Sequence, residues 1–110
     1  MNIETRTKGE ICVLHFEGNF DSNTASDAES VINELIEDGK LKIVANFENL
    51  NFISSAGLRV LLATAKRLNA SGGDLRVCCL NQTVQEVFDI SGFGTILTVN
   101  QTEDEAIRSI

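Results

Sequence analysis

The 110-residue sequence carries 16 acidic side chains against 9 basic ones, a formal net charge of -7, and contains no Trp, Tyr or Pro. That balance argues against nucleic acid and anionic membrane as partners, since both call for a concentrated Lys/Arg face, and the missing Trp and Tyr remove the stacking platforms of single-strand binders. The length suits one domain, residues 1–110, able to bury a core without disulfide or metal staples. The opening stretch "MNIETRTKGEICVLHF" lacks the apolar run of a signal peptide. No apolar stretch approaches the ~18 residues of a membrane span, so a cytoplasmic location is expected. Cys12, Cys78 and Cys79 sit in apolar, strand-like runs without CxxC spacing and are expected to be buried free thiols.

In chain order, residues 3–7 and 11–17 are predicted strands around Lys8-Gly9, the second built on the apolar run "ICVLHF". A helix follows, with Asp21 to Thr24 offering capping side chains and Ala28, Val31, Ile32, Leu35 and Ile36 at helical spacing. Gly39 closes it in a left-handed cap. "KIVANF" at 42–47 is a third strand, apolar enough to be central. The segment "NFISSAGL" leads into a second helix whose stripe is Leu58, Leu61, Leu62, Ala65 and Leu68. "LRVCCL" is a fourth strand, residues 82–90 a short helix, "SGFG" a turn, and "TILTV" a fifth strand. Thr102 caps a final helix with Glu103, Asp104 and Glu105 in its first turn, where acids suit the helix dipole. Repeated strand–helix units of this kind define an α/β domain: one mixed, mostly parallel sheet of about five strands flanked by about four helices.

Such sheets gather functional groups where strands end and helices begin. Two junctions stand out, "GNFDSNTA" and "NFISSAGL", which share an edge if their strands are neighbours. No enzymatic constellation accompanies them. His15 stands alone in a strand, "SGGDL" and "SGFG" lack phosphate-loop spacing, and the acids at 103–105 and Glu37-Asp38 are most simply solvated helix ends. No metal set and no cofactor motif is present. The serines are less ordinary. One hydroxyl at a helix entrance is accounted for by capping, worth about 1 kcal/mol. The second hydroxyl, Ala56 and Gly57 are not, because a glycine in the first turn costs roughly 0.5–1 kcal/mol against alanine. The residues alone leave two readings open: a plain cap with tight packing, or a modification or docking site.

"KIVANFENLNFISSAGLRVLL", with "GNFDSNTA" before it and "GGDLRVCCLNQTVQEVFDISGF" after it, resembles the STAS domain over about residues 3–108. More narrowly, it resembles the small anti-sigma-factor antagonists of bacterial partner-switching systems. The resemblance implies a regulatory substrate rather than an enzyme. Its unphosphorylated form would bind an anti-sigma factor that is also a serine kinase, freeing the kinase's client. Serine phosphorylation would switch it off, and a PP2C-type phosphatase would restore it. Carried over by motif, the acceptor is Ser55, with Ser54 as the alternative, and Asp21 takes the acidic position of the neighbouring loop. The implied partner-binding edge is Asp21, Ser54, Ser55, Ala56, Gly57 and Arg59. The sequence departs from the family pattern in carrying Ser54 where Asp is common and Ala56 where Ser or Thr is common. A rival reading is a non-switching STAS accessory subunit of a transport or larger signalling complex; a small nucleotide-binding enzyme has no motif behind it.

Overall fold

A two-residue turn at Gly9-Glu10 folds the first strands together: β1 (Asn2–Lys8) and β2 (Ile11–Phe20) pair antiparallel, with Lys8 opposite Ile11. The computed structural model describes residues 1–110. From β2 onward every neighbour is parallel, through β3 (Lys42–Ile53), β4 (Asp74–Cys78) and β5 (Thr98–Asn100), and the sheet order is β1-β2-β3-β4-β5. The crossovers are α1 (Ala25–Glu37), α2 (Ser55–Ala70) and α3 (Gln82–Ser91) with a 3-10 turn at Phe93–Thr95; α4 (Glu103–Ser109) follows β5. This is the expected mixed, mostly parallel sheet with four helices.

Period-two alternation in β2 sorts the two faces. Cys12, Leu14 and Phe16 join the larger core under α1, α2 and α3, whereas Val13 joins Val44, Cys78 and Ala106 under α4. In the larger core Phe16 stacks on Phe20 at 5.4 Å between ring centroids and meets Phe47 edge-on at 5.0 Å. Leu58, Leu61, Ala65 and Leu68 of the α2 stripe are buried, and each leucine contributes roughly 1.5–3 kcal/mol relative to exposure. α1 ends as its sequence implies. Gly39 takes φ +81°, its N–H bonds to Ile36 O, and the Lys40 N–H reaches Leu35 O at 2.9 Å.

Four strands have boundaries other than those expected from the sequence. β2 runs to Phe20 and β3 to Ile53, well past 17 and 47, so "GNF" and "NFI" are paired strand rather than loop. Polar Glu48, Asn49 and Asn51 obscure the alternation there, and register shifts between His15/Glu17 and Gly18/Asn19 interrupt its period. The fifth strand is only Thr98–Asn100, because Phe93–Thr95 turns and just three residues pair with β4. The fourth strand ends at Cys78, since Cys79 adopts φ +63° as the chain bends toward the Asn81 cap of α3.

Candidate docking edge at the ends of β2 and β3

Phe20 and Ile53 are paired neighbours on the last rung of the β2–β3 ladder, and the Ser54 N–H donates to Phe20 O at 2.9 Å. Asp21 and Ser54 therefore leave adjoining strands side by side, which places the two junctions on one edge. Asp21 organises its own loop. Its Oδ1 accepts from the Asn23 N–H at 2.9 Å, and its N–H donates to Thr24 Oγ1 at 2.9 Å. Thr24 in turn donates to Asn19 O at 2.8 Å and makes no side-chain cap to α1. The expected caps thus build a turn instead of closing the helix end.

The two serines separate by role. Ser54 is the N-cap of α2, extended at φ -97° and ψ 176°, and its Oγ accepts from the Gly57 N–H at 3.5 Å. Ser55 is the first helical residue; its side chain is exposed and makes no hydrogen bond within the chain. Ala56 is half-buried, and Arg59, one turn further along α2, is exposed. Gly57 is buried. A Cβ there would stand 2.8 Å from Phe20 O and from Ile53 Cγ1, and 3.0 Å from Phe20 Cδ1. The space it leaves is filled by its own strands, so the missing side chain serves the tight packing of the helix entrance on β2 and β3. Phe52 and Ile53 are adjacent apolar residues at the end of β3. Alternation splits them: Ile53 is buried and Phe52 is 43% exposed beside the serines.

A second polar cluster lies on the α4 face. Glu103 receives the Asn46 amide at 3.0 Å, Lys8 Nζ at 3.2 Å and His15 Nε2 at 3.1 Å. Partial burial pushes its carboxyl up, but the bonds from Asn46 and Lys8 and the charges of His15 and Lys8 outweigh that and hold it below the ordinary range. Glu103 is therefore not the solvated helix end its position suggested. His15 is satisfied by it. Burial, reinforced by the Cys79 thiol, pushes the Cys78 thiol far above its usual value and keeps it protonated and unreactive. No group of three or more His, Cys, Asp or Glu side chains is placed to hold a metal, and no helix is long and apolar enough to cross a membrane.

Geometry and chemistry define an α/β domain whose distinctive groups stand on a strand–helix edge rather than in a cleft. The STAS domain family matches residues 2–106, and the chain belongs to that family. A candidate anti-sigma factor antagonist of Bordetella bronchiseptica, BtrV, is 38% identical over 90 residues, spanning 82% of this chain and 78% of that protein. The anti-sigma-B factor antagonist of Staphylococcus aureus is 29% identical over 101 residues, spanning 92% of this chain and 94% of its own. Among solved structures, the unphosphorylated form of the anti-sigma factor antagonist SpoIIAA superposes with a TM-score of 0.76 at 27% identity, covering 99% of this chain and all 100% of the other. The phosphorylated form of SpoIIAA, a Bacillus cell fate determinant, gives 0.74 at 28% identity, covering 97% of both.

Proposed function

We propose that this protein is an anti-sigma-factor antagonist switched by phosphorylation of Ser55. Unphosphorylated, it docks its β2–β3 edge on a serine-kinase anti-sigma factor and displaces the kinase's client. Asp21, Phe52, Ser55, Ala56 and Arg59 form the docking edge, with Ser54 and Gly57 setting its backbone. In the kinase complex Ser55 Oγ attacks the γ-phosphorus of ATP. The bond to the β–γ bridging oxygen breaks, ADP leaves, and the hydroxyl proton passes to a base of the kinase. A PP2C-type phosphatase hydrolyses the ester and returns the docking form.

The observation that carries this reading is the division of labour between the serines: Ser54 is engaged as cap, while Ser55 is exposed and unbonded at the same edge. Relatives named as antagonists, and a relative known in both unphosphorylated and phosphorylated forms, add support. A phosphate adds about -1.5 to -2 charge. On an edge already holding Asp21, that added charge and bulk oppose the partner's close approach. The test is incubation with the cognate kinase and ATP, followed by intact-mass and site-mapping spectrometry. One phosphate on Ser55 is expected. No phosphate, or one away from Ser54 and Ser55, overturns the switch, and one on Ser54 reassigns the acceptor.

A further inference from the structure

The chain has five arginines, and four are engaged. Arg6 bonds Glu4 at 2.9 Å, Arg67 bonds Asn33 at 2.6 Å, Arg76 bonds Asp74 at 2.8 Å, and Arg108 donates to Asp104 O at 3.4 Å. Arg59 alone is exposed with neither an ion pair nor a hydrogen bond. It stands four residues after Ser55 on the same helix. We infer that Arg59 is the intramolecular partner of the phosphate on Ser55, so that modification adds a dianion and withdraws a cation from the docking edge at once. This deepens the reading of Ser55 as acceptor and rests on it.

Residues at i and i+4 of a helix are surface neighbours with Cβ atoms about 5–6 Å apart, and an acid N-terminal to its base is the favourable order. Helical side chains lean toward the N-terminus, so the Arg59 stem is directed over the turn that carries Ser55. A guanidinium matches phosphate with two parallel N–H donors, a fit that lysine lacks. Competing acids are few. The first turn of α2 has none, and the nearby Asp21 carboxylate accepts from its own loop at Asn23. The unmodified serine gives Arg59 no anion to hold, which leaves the guanidinium available to the kinase. Phosphorylation supplies that anion within the chain.

The test installs phosphoserine at position 55 by genetic-code expansion and follows the phosphate by phosphorus NMR through its second ionisation. Arg59→Gln should raise that pKa by about 0.2–0.4 unit. Lys66→Gln, an equal loss of charge two turns further along, should leave it in place, and roughly 1 M salt should erase most of the Arg59 difference. No rise in Arg59→Gln, or equal rises in both variants, overturns the pairing. Because no kinase is used, a failed kinase assay bears on the acceptor assignment alone, and a failed titration bears on Arg59 alone.

Discussion

At the scale of single residues, the edge depends on how Ser54, Ser55 and Gly57 share one turn. Ser54 Oγ accepts from an amide that α2 cannot satisfy internally, at a long 3.5 Å. Ser54→Ala should therefore lower stability by about 0.5–1 kcal/mol, toward the low end for a lost cap. Ser55→Ala removes an exposed hydroxyl without partners and should stay within about 0.5 kcal/mol of the parent. Urea unfolding of the two variants checks this contrast, and equal losses would contradict the assignment of Ser54 as cap. Gly57→Ala gains helix propensity but drives a methyl against Phe20 O, a backbone atom that cannot rotate away. A net loss of about 1–2 kcal/mol is expected, within the range of overpacked sites. A stabilised Gly57→Ala protein would show that the strand end yields.

At the scale of elements, α4 is fastened to the sheet through Glu103, which joins Lys8 of β1, His15 of β2 and Asn46 of β3. The folded carboxyl is held below its ordinary value, so its stabilisation is fully present above the unfolded pKa and is lost as pH falls through the folded one. Glu103→Gln should be less stable than the parent near neutrality, with the gap narrowing below about pH 4.3, where the unfolded carboxyl protonates. Urea midpoints measured across that range decide it; a gap that stays constant with pH would mean that the carboxylate charge contributes nothing. None of this fastening was legible beforehand, because it joins residues far apart in the chain, and an acid in a first turn already has a local explanation in the dipole. The helices and the apolar halves of β2 and β3 were legible, since Leu58, Leu61, Ala65 and Leu68, or Cys12, Leu14 and Phe16, repeat at the period of their element. The ends of β2 and β3 were not, since their pairing depends on register shifts set by the neighbouring strand. At the site, Ser54 and Ser55 are equivalent as letters, and only the backbone on which they sit distinguishes the capping hydroxyl from the free one.

For the whole molecule, the question is whether the proposed phosphorylation of Ser55 would act by reshaping the fold or by changing one edge of a fixed one. Ser55 contributes to neither apolar cluster, and the Phe20–Ile53 rung beneath it is built from buried backbone and side chains. The net charge is already -7, so an added dianion alters the overall charge modestly while dominating the field at the β2–β3 edge. The expected switch therefore changes affinity while leaving the fold unchanged. With the proposed kinase partner, the unmodified protein and Ser55→Ala should bind alike. Ser55→Asp should bind more weakly, and phosphoserine more weakly still, by about tenfold or more from the parent, because Asp supplies one negative charge on a shorter stem. Calorimetric titration of the four proteins gives that order, and raising the ionic strength should narrow the electrostatic part of the gap. Amide chemical-shift changes on phosphorylation should be confined to the Asp21 loop and the first turns of α2, with unfolding midpoints nearly unmoved. Shifts spread through the Phe16–Phe47 core, or a binding order in which Ser55→Ala groups with Ser55→Asp, would mean that the hydroxyl itself or a rearranged sheet carries the signal, and the electrostatic account of the switch would fail.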